Sequence, residues 1–197
     1  MMRTRNRVAL MAAALTLPAL AFAQGPPPPR GNPSATVGGK KVSVEYGQPS
    51  LNKRTIKDLL AQLPQDRVWR AGVNQVTTLT TEGDIEIGGQ KVKAGKYSLY
   101  VLAPESGDWS LLVNSDPGVP LKTIFAGAPP ALADALWPRL DGYDKIKATE
   151  VARAPLKSGK VAPSELFTIT LTPAGAGATL TLAWGDQSWS TGITAAK

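Results

Sequence analysis

A series of short strand-like segments between residues 76 and 114 constrains the fold of this chain more than any other feature. Each segment is β-branched or alternates between apolar and polar residues, and Gly, Pro and Asp residues separate one segment from the next. Short period-two runs with turn residues at close spacing are typical of antiparallel all-β domains. The pattern predicts an all-β fold, a single antiparallel β-sandwich that is jelly-roll or Greek-key-like, with about eight or nine strands.

Two segments interrupt the strands. Residues 55–63 carry apolar side chains at the i, i+3, i+4, i+7 spacing of one helical face, and Pro64 ends the run. Residues 115–143 form a long connection with an Ala-rich stretch over residues 131–137, and such connections are often functional. We predict one short helix at 55–63 and a partly helical insertion at 115–143, with its helix at 131–137. We expect strands at residues 42–46, 76–81, 85–87, 97–102, 109–114, 146–154, 166–171 and 178–184, with the polar end after Gly185 forming an edge strand or fraying.

The N-terminal segment predicts export. Three arginines precede the apolar run Val8–Leu20, and Ala21-Phe22-Ala23 fits the small-x-small cleavage pattern of a secretory signal peptide. The run is shorter than the roughly 20 residues that span a bilayer, which argues against a retained anchor. We predict a signal peptide at residues 1–23, a Pro-rich extended linker at 24–33 and the folded domain at 34–197. The expected location is the periplasm or the outside of the cell, without a stable membrane anchor after cleavage.

Composition excludes several classes of function. The sequence contains neither Cys nor His, so Ser-His-Asp or Cys-His catalysis and zinc sites of the usual kind cannot be built. Loss of the signal peptide removes three Arg, so that 19 Lys+Arg remain against 15 Asp+Glu and the net charge falls from +7 to +4. No basic stripe is interleaved with aromatic residues, so nucleic acid is not an expected partner. We predict no cofactor, no metal site and no catalytic residue, and the oligomeric state stays open.

Polar and aromatic side chains concentrate in residues 68–75. Arg70 offers a planar guanidinium to a carboxylate or a phosphate. Trp69 offers a stacking face to a sugar ring or a cation, and Asn74 offers both a donor and an acceptor. The predicted ligand-binding residues are Arg70, Trp69, Asn74, Arg54 and Tyr46.

The same residues admit a structural interpretation. Arg70 can pair with a carboxylate such as Asp58 or Glu45 while it stacks on Trp69, and Asn74 can hydrogen-bond its own turn. The segment would then be a brace for the fold and not a binding site. The sequence leaves both interpretations open.

Several motifs, taken in order, carry a resemblance to a known family. They are Tyr46-x-x-Pro49, Arg54-x-Ile56, Val68-Trp69-Arg70-Ala71-Gly72-x-Asn74, Gly88-Gly89-x-x-Val92-x-Ala94-Gly95-x-Tyr97-Ser98-Leu99 and Trp109. This order resembles the family catalogued as domain of unknown function 2911, found in exported bacterial proteins, over about residues 34–184. The resemblance implies an exported β-rich domain and brings no established activity. The family commonly has an acid directly after the Asn of the third motif, where this chain has Gln75.

Two hypotheses for function follow. The first is a non-catalytic, envelope-associated binding or structural module, whose partner is an anionic or glycan ligand of the cell envelope. The missing His and Cys and the absent family acid favour it. The second is a carboxylate-dependent hydrolase acting on envelope glycans, which requires two carboxylates about 5–9.5 Å apart in a cleft.

Overall fold

The computed structural model describes residues 27–139 and 141–197, so the predicted signal peptide and the first residues of the predicted linker lie outside the described residues. The predicted all-β, antiparallel class is confirmed. No helix in the described part is long and apolar enough to cross a membrane. The strands are β1 (Arg30–Gly31), β2 (Ser34–Val37), β3 (Lys40–Gly47), β4 (Val68–Trp69), β5 (Thr78–Thr81), β6 (Ile85–Ile87), β7 (Gln90–Val92), β8 (Gly95–Leu102), β9 (Trp109–Asn114), β10 (Val119–Pro120), β11 (Leu136–Trp137), β12 (Glu150–Ala174) and β13 (Gly177–Ala195). The helices are α1 (Ile56–Leu60) and α2 (Leu121–Ile124), with 3-10 turns at Tyr143–Lys145 and Lys147–Thr149.

Eleven of these strands form one sheet, whose main path runs β1-β3-β5-β8-β9-β12-β13-β6-β7. Off this path, β2 pairs with β3 and β4 pairs with β8, while β10 and β11 form a separate two-stranded sheet. The sequence predicted two sheets packed as a sandwich, and the structure has one large sheet instead. The reason is β12, which pairs with β9 in its first part and with β13 in the remainder. A single 25-residue strand therefore covers most of the two strands that the sequence predicted separately at 146–154 and 166–171.

Successive side chains along the strands lie on opposite faces of the sheet and form two apolar clusters. Leu99 and Val101 of β8 lie in the main core. Tyr100, between them in sequence, lies in a smaller cluster on the opposite face with Leu112 and Tyr143. This follows from the two-residue period of a strand, which places successive side chains on opposite faces. Both faces of β8 are therefore covered.

Contacts between strands that are not neighbours show that the sheet curls over its main core. The Tyr46 hydroxyl on β3 accepts a hydrogen bond from the Ile169 N–H on β12 at 2.7 Å. The Trp69 ring on β4 stacks on Trp184 of β13 with centroids 5.4 Å apart, and it meets Phe167 of β12 edge-on at 4.8 Å. Aromatic pairs of these geometries each contribute about 0.5–1.5 kcal/mol beyond the burial of their area. They fasten β3 and β4 to the hairpin formed by β12 and β13, which we call the long hairpin.

The helix predicted at 55–63 is present in shorter form as α1. Thr55 caps it, because its hydroxyl accepts from the Asp58 N–H while the Asp58 carboxylate accepts from the Thr55 N–H. This capping box satisfies two of the N–H groups that a helix leaves open at its start. Beyond Leu60 the chain continues in tighter turns up to Pro64.

The prediction of a helix at 131–137 is wrong, because the helix of the insertion is α2, which begins ten residues earlier. Residues 130–135 form successive turns, and β11 takes up the end of the predicted segment. The Leu136 carbonyl accepts from the Val76 N–H at 2.9 Å, and β11 pairs with β10. These long-range bonds use the backbone groups that a local helix would have needed.

The C-terminal end does not fray. β13 continues past Gly185 to Ala195 and pairs with β12 and then with β6, so it is not an edge strand. Trp189 in this extension is buried and stacks on Trp109, with ring centroids 4.2 Å apart and planes 5° from parallel. Thr191 and Ile193 are buried as well, two and four residues later. The extension is therefore an alternating strand, although its exposed positions make it polar in composition.

A buried amide ties the end of β9 to the segment before β12. Asn114 is fully buried, and its Nδ2 donates to the Ile146 carbonyl at 2.8 Å. Its Oδ1 accepts from the Asp116 N–H at 2.7 Å and from the Thr149 hydroxyl at 2.8 Å. Because Asn114 itself has no access to water, its amide depends on these three partners.

We expect Asn114→Ala to lower the free energy of unfolding by about 2–3 kcal/mol, because it removes a fully buried amide with three hydrogen bonds and leaves the Asp116 N–H without its acceptor. Urea denaturation with an unchanged m value would measure the loss. Ser115→Ala is the matched control, since Ser115 is exposed, and it should change stability by about 0.5 kcal/mol or less. Equal effects of the two substitutions would contradict the role assigned to Asn114.

Candidate functional site

A cleft of about 560 Å³ lies where α1, β4 and the end of the insertion meet the long hairpin. This volume falls within the range of pockets that hold small molecules. Most of the lining is apolar or aromatic. Its charged residues are Arg54, Arg70, Arg139 and Asp66.

Four of the five tryptophans of the chain line this cleft. They form two stacked pairs, Trp69 with Trp184 and Trp109 with Trp189, and we call these four residues the tryptophan wall. They lie on β4, β9 and β13 and are therefore held by the sheet itself. α1 contributes Ile56, Leu59 and Leu60 to the same lining. The wall and α1 offer an apolar surface to a ring or a chain.

Arg70 lies in the cleft without a protein partner. It follows directly on β4, is half-buried, and makes no hydrogen bond or ion pair with any other residue in the described ranges. Burial lowers the pKa of its guanidinium, although an arginine remains charged at physiological pH. Asp58 caps α1, and Glu45 is exposed on β3. Neither carboxylate that the structural interpretation assigned to Arg70 pairs with it.

Tyr100 is the second group in the cleft without a partner. Its hydroxyl is buried and finds no hydrogen bond within the described structure. Ser98 is near enough to lower the pKa of Tyr100 somewhat, but its hydroxyl donates to the carbonyl oxygens of Asn114 and Asp116 at 3.3 and 2.6 Å. Burial raises the pKa of Tyr100, so the hydroxyl keeps its proton and can act as a donor. Asp116, Arg139 and Arg70 all exert an electrostatic effect on this hydroxyl. We call Arg70, Tyr100 and Arg139 the basic corner.

The other charges at the cleft are already balanced or hydrogen-bonded. Arg139 Nε donates to Asp116 Oδ2 at 3.1 Å, and Asp116 is largely buried. The Asp66 carboxylate accepts from the N–H groups of Val68 at 3.0 Å and Tyr143 at 3.2 Å. Arg54 donates from Nε and Nη2 to two backbone carbonyls of its own loop. Arg70 therefore differs from every other charged group in the lining.

The five residues predicted as ligand-binding do not all lie together. Arg70, Trp69 and Arg54 line the cleft. Tyr46 is buried in the main core and is hydrogen-bonded to β12, away from the lining. Asn74 also lies outside the lining, at a left-handed φ of 64°, where it shapes the turn. Gln75, at the position of the family acid, accepts a hydrogen bond from Arg30 and so ties β1 to this turn.

Sequence reasoning missed the other residues of the cleft. The sequence analysis does not single out Tyr100, Trp109, Trp184 or Trp189 as residues of a site. The two-residue period from Trp189 to Ile193 was a signal that this end is a strand. Nothing in the sequence pairs Trp109 with Trp189, which are 80 residues apart.

Strained backbone marks the segment that builds the cleft. All non-glycine residues with positive φ in the described ranges fall between residues 52 and 74. Ala71 is the strictest case, with φ 51° and complete burial, and its carbonyl accepts from the Thr77 hydroxyl at 2.9 Å. Such conformations concentrate at functional sites, where the surrounding structure holds them. The five residues are Asn52, Lys53, Arg67, Ala71 and Asn74.

A hydrogen-bonded network holds the far end of the cleft. The Tyr143 hydroxyl donates to Glu150 Oε2 at 2.7 Å, and Arg153 donates to both Glu150 oxygens at 2.8 and 2.9 Å. The hydrogen bond from Arg153 is the main reason that the pKa of Glu150 is lowered. Tyr143 meets Tyr100 edge-on at 5.0 Å, so the network also supports the basic corner. In the part of the chain that the structure describes, no group of three or more acidic side chains is arranged to hold a metal ion.

Comparison with known proteins gives one family. The family model described as "Protein of unknown function (DUF2911)" matches residues 28–193. No curated protein and no solved structure matches the chain.

We expect Glu150→Gln to reduce stability at neutral pH by about 1 kcal/mol or less, because Arg153 is partly exposed and solvent weakens the pair. The folded pKa of Glu150 is lowered, so its contribution is present above the unfolded pKa of about 4.3 and is lost as the pH falls below it. The difference between wild type and variant should therefore shrink at acidic pH. Urea unfolding at neutral pH and near pH 3 measures this.

Asp186→Asn is the control for this experiment, since its ion pair with Lys160 is exposed on both sides, and it should leave stability unchanged within error at either pH. If the difference in the free energy of unfolding between wild type and Glu150→Gln is the same at both pH values, the stabilising role assigned to ionised Glu150 is contradicted.

Proposed function

The chain belongs to the DUF2911 family of proteins of unknown function, and we propose that it is a non-catalytic binding module whose cleft holds a small organic anion. One observation carries the proposal: Arg70 is half-buried in a 560 Å³ cleft and has no partner among the described residues. Removing a charge from water without pairing it costs free energy. An anion in the cleft supplies the missing partner through a charge-assisted hydrogen bond.

The proposal assumes the location predicted from the N-terminal segment, which is the periplasm or the outside of the cell. An exported, envelope-associated module meets anionic compounds and glycan fragments in the periplasm or outside the cell. The curled sheet serves as a sandwich-like frame, and the cleft is built largely from the loops and the short helix at one end of it. Loops held by a rigid β scaffold often carry binding residues.

The alternative, a hydrolase with two carboxylates, has less support. Among the described residues, Asp66 is the single carboxylate that lines the cleft, and both of its oxygens accept backbone N–H groups. A glycosidase of the usual kind needs a second carboxylate across the cleft as acid, base or nucleophile. The geometry therefore favours binding over hydrolysis.

We expect octanoate, glucuronate or another small organic acid to raise the melting temperature of the protein, and Arg70→Ala to abolish the rise. A ligand at 100 times its dissociation constant stabilises by about 2.7 kcal/mol, or about 5–10 °C for a domain of this size. Arg70→Lys should restore only part of the affinity, because an ammonium lacks the planar fork.

Lys93→Ala is the control, because it removes an exposed positive charge that does not line the cleft. The proposal fails if no organic acid shifts the melting curve, or if Arg70→Ala binds as well as wild type. A variant that loses several degrees of stability without any ligand effect would make Arg70 a structural brace.

A further inference from the structure

On the premise of the anion-binding function proposed above, we infer that the ligand is an amphipathic monocarboxylate. Its carboxylate binds Arg70 and Tyr100 at the basic corner, and its apolar body lies along the tryptophan wall. Three observations carry this inference: the charge balance of the cleft, the two groups without partners, and the position of the apolar surface.

The charge balance favours a monoanion. Arg54, Arg70 and Arg139 bring three positive charges to the cleft, while Asp66 in the lining and Asp116 behind Arg139 bring two negative ones. Asp116 pairs with Arg139, and Glu165 acts on the exposed Arg54, so Arg70 is the half-buried positive charge in the lining on which no carboxylate acts. A carboxylate neutralises it, whereas a phosphate monoester, with about two negative charges, leaves an excess negative charge in a half-buried site.

The groups without partners match the acceptors of a carboxylate. The guanidinium of Arg70 is a fork of N–H donors. Because Trp69 pairs with Val101, Arg70 follows opposite Tyr100, whose buried hydroxyl supplies one more donor. A carboxylate has two oxygens and accepts from both residues at once. A neutral sugar hydroxyl satisfies Tyr100 but leaves the charge of Arg70 without compensation.

The apolar surface lies on the other side of β4, because the tryptophans pack on the main core and Tyr100 packs in the cluster on the opposite face, and the cleft reaches both sides. Trp109 and Trp189 line both the cleft and an adjoining hollow, together with Ile56 and Leu60 of α1. Lys57 and Gln187 also line the hollow, but the shared surface of Trp109, Trp189 and α1 is apolar, and an alkyl chain or an apolar ring removes it from water. Each buried methylene contributes about 0.8 kcal/mol, which corresponds to about a fourfold gain in affinity.

The test is a calorimetric titration of the protein with hexanoate, octanoate and decanoate, with glucuronate as the polar carboxylate and decyl phosphate as the alternative head group. We expect affinity to rise about fourfold per methylene, and glucuronate and decyl phosphate to bind more weakly than decanoate. Tyr100→Phe should weaken decanoate about tenfold or more, because it removes a hydrogen bond to a charged group.

Tyr97→Phe is the matched control, because Tyr97 lies on the same strand, does not line the cleft and donates to the Lys93 carbonyl; it should leave decanoate binding unchanged. The inference is overturned, and anion binding stands, if glucuronate or decyl phosphate binds as tightly as decanoate while Arg70→Ala still abolishes binding. It is also overturned if Tyr100→Phe binds decanoate like wild type. If binding of every compound is independent of Arg70, the proposed function itself fails.

Discussion

The cleft depends on one aromatic contact, between Trp69 and the pair formed by Phe167 and Trp184. Trp69 pairs through its backbone with Val101 of β8, while its ring packs on the long hairpin across the core. The contact joins β4 to strands that are not its neighbours in the sheet. It fixes the point at which the chain leaves β4, and the next residue is Arg70. Packing of an apolar side chain thus positions the charged group that follows it.

Three of the five non-glycine residues with positive φ in the described ranges, Arg67, Ala71 and Asn74, lie close to Trp69 in sequence. The turn after Arg70 passes through Ala71 at φ 51°, which a residue with a Cβ adopts at a cost of roughly 1–2 kcal/mol. The turn keeps this shape because it packs closely on the end of β3. The Val73 N–H donates to the Gly47 carbonyl at 3.3 Å, and a side chain at Gly47 would collide with the Val73 backbone. A regular core therefore stabilises an irregular rim, and the rim carries the binding groups.

The strands were predictable because their signal is local. Alternation and turn residues identified most of them, and the helical face before Pro64 identified α1. The sequence also indicated Arg70, since a cation beside an aromatic residue in a turn is a local feature. What could not be predicted depends on partners distant in sequence: the pairing of β11 with β10, the stacking of Trp109 on Trp189, and the continuity of β12 through the sheet. Alternation predicts that Tyr100 and Leu99 face opposite sides, but not that a second cluster covers the Tyr100 side.

The strongest argument for a ligand comes from the contrast with the polar groups that surround the cleft. The Asn114 amide is hydrogen-bonded at both its nitrogen and its oxygen. Both oxygens of the Asp66 carboxylate accept hydrogen bonds, and the Tyr143 hydroxyl donates to a carboxylate. Tyr100 supplies the only buried side-chain polar atom without a partner within residues 27–139 and 141–197. A phenylalanine would fill the same space and avoid the cost of burying a hydroxyl. Buried polar and charged groups usually have hydrogen-bond partners. The two that lack them, Tyr100 and Arg70, line the same cleft and interact electrostatically. Internal packing explains neither of them, which is why we propose that one carboxylate from outside the chain binds both.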